Sequence, residues 1–145
     1  MKKKTIEEYI ETIYALERKE GRAQTGMLAD EMGVKPPSIT EILQKLEKEG
    51  LIQYESYAGA TLTPRGMRMA RELMAKHAIL AEFLETIGVD HDLAEIDACQ
   101  MEHHVSGRTI AQLKKFVEFI QTTRQAAECV EWFRLSCPSD TDRDE

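Results

Sequence analysis

The stretch Thr25–Thr63, TGMLADEMGVKPPSITEILQKLEKEGLIQYESYAGATLT, decides how the chain folds. Its first eight residues read as a short helix closed by Gly33, and a second helix runs from about Pro37 to Glu49 with Gly50 as its stop. Ala29 is small enough for two helices to cross closely, and Gly33 tolerates a tight turn. Ile39 and Ile42, six and nine positions after Gly33, pin the second helix, with Leu43 and Leu46 also turned inward. The period then changes. Leu51–Glu55 and Ala60–Thr63 are short strand-like runs around Ser56-Tyr57-Ala58-Gly59. Two crossed helices followed by a hairpin, in that order, predict a winged helix-turn-helix.

A recognition helix of this kind enters the major groove of DNA by its first turn. Lys35, Pro36, Pro37, Ser38, Thr40 and Glu41 fall there, with Lys45 one turn further. Pro37 and the Thr40 methyl suit contact with thymine methyl groups, and the Ser38 and Thr40 hydroxyls reach phosphates or base edges. Ser38-Ile39-Thr40-Glu41 also reads as a capping box, which would leave Ser38 and Glu41 only holding the helix end. Tyr57 and Arg65, beside the wing, are candidate backbone contacts. Lys2, Lys3 and Lys4 read either as a phosphate-seeking arm or as a solvated terminus.

Outward from this unit the pattern is helical. Ile6, Tyr9, Ile10, Ile13 and Leu16 keep helical spacing up to Gly21. Thr63-Pro64 reads as a helix cap, opening a long helix to about Ile87 with Ala70, Leu73, His77, Leu80 and Leu84 on one face. Further helices fit Leu93–Val105, Ile110–Ile120 and Gln125–Leu135. The expected fold is mainly α: a winged helix-turn-helix over residues 1–70, followed by an all-helical metal-binding and dimerisation domain over 71–145.

Composition bounds the function. The chain has 145 residues and a net charge of −7, all of it in the second half, because 1–70 is balanced. An acidic whole resists non-specific binding to a polyanion, so any DNA contact falls to the neutral half. Asp140, Asp142, Asp144 and Glu145 read as a solvated end. No apolar run of membrane-spanning length and no secretory signal pattern is present, and three scattered cysteines do not make a disulfide framework. A cytoplasmic protein without membrane association is expected. Cys129 and Cys137 read as free thiols, and Trp132, Phe133 and Leu135 as a helix face packed on the protein or on a second subunit.

The second half carries a ligand-like constellation. Cys99, Glu102 and His103 stand at i, i+3 and i+4, so they share one face of a helix. Glu8 and Glu11 share a face of the first helix, and His77 lies on the apolar face of the long one. Singly, each has a plain reading: a satisfied core histidine, a solvated carboxylate pair, a small buried thiol. Together they call for neutralising charge if buried, and thiolate, carboxylate and imidazole suit a transition metal.

With the winged helix-turn-helix, the helix order and the residues around Glu8, His77 and Asp97–His104, the sequence resembles the diphtheria toxin repressor and manganese transport regulator family over roughly residues 5–120. The resemblance implies a homodimeric, metal(II)-activated repressor of metal-uptake genes. It implies primary metal ligands at Glu8, His77, Cys99, Glu102 and His103, with Glu11 joining Glu102 and His103 around a second ion in the manganese branch. Branch features are mixed. Cys99 is the iron-type residue, whereas Glu8 and Glu11 are manganese-type. Ala81 replaces an ancillary carboxylate of the iron type, and 145 residues leave no room for that type's C-terminal barrel-like domain.

The sequence therefore predicts a repressor that binds a double-stranded DNA operator as a homodimer, with Fe2+ slightly favoured over Mn2+ and Co2+, Ni2+ or Zn2+ as surrogates. The alternatives are a metal-independent winged-helix regulator and a metal-dependent hydrolase. The hydrolase lacks a nucleophile motif, a phosphate loop and a cleft signal.

Overall fold

Among the described residues, nine elements form, largely where the apolar spacing and the punctuation of Gly and Pro place them. They are α1 (Lys3–Glu20), α2 (Thr25–Met32), α3 (Pro36–Lys48), β1 (Ile52–Glu55), β2 (Gly59–Leu62), α4 (Pro64–Thr86), α5 (His91–Met101), α6 (Gly107–Thr122) and α7 (Arg124–Ser136). The computed structural model describes residues 1–140, and Asp142, Asp144 and Glu145 of the acidic end lie outside the described residues. Two compact units emerge, Met1–Leu73 and Met74–Glu145, and α4 runs through the division. Among the described residues no helix is long and apolar enough to cross a membrane.

The first unit buries one continuous core. Ile10 and Ile13 from α1, Leu28 from α2, Ile39, Leu43 and Leu46 from α3, and Leu51 and Ile52 at the wing are all fully buried. Truncating any of them to Ala costs about 2–5 kcal/mol. Gly33 closes α2 in the left-handed region at φ 64, with its N–H on the Ala29 carbonyl, as a tight inter-helix turn requires. The wing is an antiparallel pair with Ile52 opposite Leu62 and Glu55 opposite Gly59. It is tied back to the helices twice. Ala23 and Ala60 exchange two backbone hydrogen bonds of 2.9 Å, and the Leu62 N–H donates to Glu17 Oε2 at 2.9 Å. The expected Thr63-Pro64 cap is present: Thr63 Oγ1 accepts from the Gly66 N–H at 3.1 Å and donates to the Gly50 carbonyl at 2.7 Å.

Two open alternatives in this unit are decided. The capping box at Ser38–Glu41 does not form, because α3 begins two residues before Ser38, at Pro36, with Lys35 as N-cap and no side-chain cap. Proline has no N–H to satisfy, so Pro36 and Pro37 start the helix without a cap. The Ser38 N–H then donates to the Lys35 carbonyl at 3.0 Å. Lys3 and Lys4 do not form an arm either. They belong to the first turn of α1, with Nζ 3.7 Å from Glu7 and 3.9 Å from Glu8 respectively.

In the second unit Leu80, Ala81 and Ala98 form the buried centre, packed by Met101, Val105, Ile110 and Leu113. Phe83 and Phe116 meet edge to face at 6.2 Å. Asp90 caps α5 by accepting from the Leu93 N–H, and Ser106 caps α6 by accepting from the Thr109 N–H. Of the α7 face expected to pack, Trp132, Phe133 and Leu135 are 72%, 46% and 74% exposed among the described residues.

Candidate metal centre and nucleic-acid interface

The helix expected over Leu93–Val105 ends earlier, at Met101. The His104 N–H bonds the Met101 carbonyl three residues back, the Val105 N–H bonds the same carbonyl, and the new cap at Ser106 begins α6. Cys99, Glu102 and His103 therefore do not share one uninterrupted helix face. Cys99 is on α5, Glu102 is its C-cap at φ −58, ψ −30, and His103 is in the turn that follows. Glu102 keeps helical backbone, with its N–H on the Ala98 carbonyl, so its side chain stays in step with α5.

A buried polar centre lies at this end of α5. The side chains of Glu102 and His103 are 1% and 2% exposed, with His103 Nε2 3.6 Å from Glu102 Oε1. His77, from α4, places Nδ1 2.9 Å from Glu102 Oε2. Its Nε2 lies 2.7 Å from Glu95 Oε2. A neutral imidazole has one donor, so both His77 contacts are hydrogen bonds only when both ring nitrogens carry hydrogen. The hydrogen bond from His77 holds the Glu95 carboxyl below the usual carboxylate range. A carboxylate this deep costs several kcal/mol unless positive charge compensates it, and two imidazoles with one buried carboxylate are a donor set that fits a divalent transition cation.

Glu95, the second partner of His77, is not among the residues singled out from sequence. The signal was there: Glu95, Cys99 and Glu102 stand at i, i+4 and i+7, the spacing of a single helix stripe. Cys99 itself is exposed rather than buried. The α1 residues belong to the other unit. There Glu8 is about two-fifths exposed and paired with Lys4, Glu11 is part-buried, and the neighbouring Glu7, not singled out by sequence, is buried.

On the first unit, Lys35, Pro36, Pro37, Ser38, Glu41 and Lys45 are all exposed along the start of α3. Thr40 is half-buried and donates from Oγ1 to the Pro36 carbonyl at 3.2 Å, which holds its methyl and hydroxyl in one orientation. Tyr57 stands at the tip of the wing, fully exposed, with φ 72. Left-handed backbone at a bulky residue costs about 1–2 kcal/mol. Arg65 Nη1 donates to the Glu49 carbonyl at 2.6 Å, so it closes the C-terminal end of α3 as well as facing outward.

Residues 1–60 match the model of the iron-dependent repressor N-terminal DNA-binding domain, and residues 63–128 match that of the iron-dependent repressor metal-binding and dimerisation domain. The HTH-type transcriptional regulator MntR of Listeria welshimeri is 37% identical over 134 residues, which cover 92% of this chain and 94% of that protein. The structure of the manganese regulator SloR is similar at TM-score 0.66 and 30% identity, over 79% of this chain and 54% of that one. A manganese-dependent transcriptional repressor in complex with manganese is similar at TM-score 0.66 and 29% identity, over 79% of this chain and 53% of that one. The chain thus spans about half the length of those two solved structures.

Proposed function

Because the chain belongs to the iron-dependent repressor family, which comprises transcriptional repressors rather than enzymes, we propose that it is a cytoplasmic homodimeric repressor, activated by a divalent cation, that binds operators of metal-uptake genes. The observation that carries this reading is the buried Glu102 carboxylate between His77 and His103, in a chain that also has an exposed recognition helix and wing.

His77, Glu102 and His103 are the proposed ligands from the second unit. The ligand role of Glu8 and Glu11 rests on the resemblance. A bound cation would supply the positive charge that offsets the buried Glu102 carboxylate. Restraint of α1 is felt at the DNA-reading face, because Glu17 of α1 holds the Leu62 N–H of the wing and the Ala23–Ala60 bridge fastens the segment after α1 to the same strand. The gain in DNA affinity equals the difference in metal affinity between the DNA-competent arrangement and the others. Exposed Leu93, Ile96, Phe116 and Phe119 on the second unit suit burial against a second copy, which sets two recognition helices on half-sites about one helical turn apart.

The proposed co-repressor is Mn2+. Nitrogen and oxygen donors form the buried centre, while Cys99 is exposed, and the relatives reported above are named for manganese. Fe2+ is the second reading, favoured by the Cys99 thiol one helical turn before Glu102. Cys99→Ala separates them: it leaves Mn2+-dependent DNA binding within about tenfold of the parent when the thiol is no ligand. A sulfur-to-metal charge-transfer band in the Co2+-loaded parent, lost in Cys99→Ala, points to the second reading.

Footprinting on the DNA upstream of its own gene tests the function. Protection of two half-sites with Mn2+, and none with a chelator, is expected; protection in both conditions leaves a metal-independent regulator. The wing offers a separate check. Tyr57→Gly relieves the left-handed strain and raises stability by about 1 kcal/mol, measured by denaturant unfolding, while operator affinity falls. Unchanged affinity would remove Tyr57 from the DNA contacts.

A further inference from the structure

A second cluster of metal-type donors lies outside the ligand set just described. Glu85, in the last turn of α4, and His91 and Glu95, on the first turns of α5, each offer one ligand atom, and the three atoms lie within 4.8 Å of one another. Two features of local structure bring them together. His91 and Glu95 stand at i and i+4, so they project from one side of α5. Gly88, at φ 103, turns the chain back between the two helices, with its N–H on the Glu85 carbonyl at 3.0 Å. Arg134 of α7 also donates to that carbonyl, at 2.7 Å, which fixes the backbone of the turn from which the Glu85 side chain projects.

We propose that Glu85, His91 and Glu95 form an outer site for a divalent cation of borderline softness, such as Mn2+, Co2+ or Zn2+. One imidazole and two carboxylates are a sufficient protein set for such ions, with water filling the remaining positions. Donor atoms about 2.1 Å from a common ion lie no more than about 4.2 Å apart, so the cluster needs to close by only about half an ångström. His91 Nδ1 already contacts Glu85 Oε1. The carboxylate of Glu95 links this site to the buried centre, because its Oε2 is also 2.7 Å from His77 Nε2. An ion at the outer site draws on the same carboxylate that orients His77, so its occupancy changes how His77 is held. The side chains of His91 and Glu95 are 72% and 46% exposed, which gives an ion direct access from solvent and makes the site the weaker of the two.

The test counts Co2+ bound per chain by equilibrium dialysis on the full-length protein, alongside the paramagnetic shift of the His91 ring protons. Three proteins are compared: the parent, His91→Ala and Glu102→Gln. In the parent one weak equivalent is expected beyond those bound tightly, and it shifts the His91 ring. His91→Ala loses that equivalent alone. Glu102→Gln keeps it, and keeps the His91 shift, while losing tight binding, so failure of the buried centre and failure of the outer site give different results. The proposal is overturned if the parent shows no His91 shift, or if His91→Ala binds the same equivalents with the same affinities as the parent.

Discussion

Glu102→Gln is expected to abolish the response to metal while leaving a folded protein. The amide matches the carboxylate in shape and can still accept from His77 through its oxygen, so packing around the former 1% exposed side chain is preserved. What disappears is the negative charge. A cation then faces two imidazoles with no buried counter-charge from this turn, and metal affinity falls by about 100-fold or more. The apo protein is, by the same reasoning, no less stable than the parent, because a buried carboxylate that carries its own desolvation cost has been neutralised. Calorimetric titration with Mn2+ and thermal unfolding without metal check both halves. A variant that still gains DNA affinity on adding Mn2+ would remove Glu102 from the centre.

The second large effect concerns the joint between wing and α4. A Cβ at Gly66 would lie 2.1 Å from the Leu51 carbonyl oxygen and 3.1 Å from Leu62 Cδ2. The Leu62 methyl can shift, but the Leu51 backbone cannot give way cheaply. The Leu51 carbonyl accepts from the Thr63 N–H at 3.1 Å, and Leu51 is a fully buried core residue. Gly66→Ala is therefore expected to destabilise the first unit by about 3 kcal/mol or more, a large part of the total stability of a small domain. Gly26→Ala is the control, since nothing lies within 4 Å of a Cβ there. It should be neutral or stabilising by about 0.5 kcal/mol. Equal unfolding midpoints for the two variants would contradict the close approach at Gly66.

These two residues also mark the limits of what the sequence discloses. The helices and wing were legible because their punctuation is local. Gly33 and Gly50 end α2 and α3, Thr63-Pro64 opens α4, and strand alternation flanks a turn at Ser56–Gly59. Gly66 is different, because its need for a missing side chain comes from Leu51, across the wing. The start of α3, expected at about Pro37, lies at Pro36: the capping-box reading of Ser38–Glu41 competes with two prolines that begin a helix unaided, and the prolines win.

The metal centre was half legible. His77 stood out as a polar group on an apolar face, and Glu102 and His103 by their ligand-like spacing with Cys99; the structure brings His77, Glu102 and His103 together. The end of α5 at Met101 was hidden, since it depends on the i−3 hydrogen bond of His104 and on the cap that Ser106 gives the next helix. Glu95 shares a helix stripe with Cys99 and Glu102, but a glutamate on a surface helix is ordinarily solvated, and its contact with His77 of α4 is what distinguishes it. The choice between manganese and iron turns on whether the exposed thiol of Cys99 joins the donors.

The central claim is that metal controls DNA affinity. Its most direct test is fluorescence anisotropy of a labelled duplex from upstream of the gene, titrated with the protein anaerobically at fixed moderate salt. Mn2+ is added in one series and a chelator in the other. The account predicts tighter binding with Mn2+ by between about 5-fold and 150-fold, the usual range of coupling between two sites. Equal affinity in the two series would contradict it, and would reduce the buried Glu102 centre to a structural feature of a plain winged-helix protein.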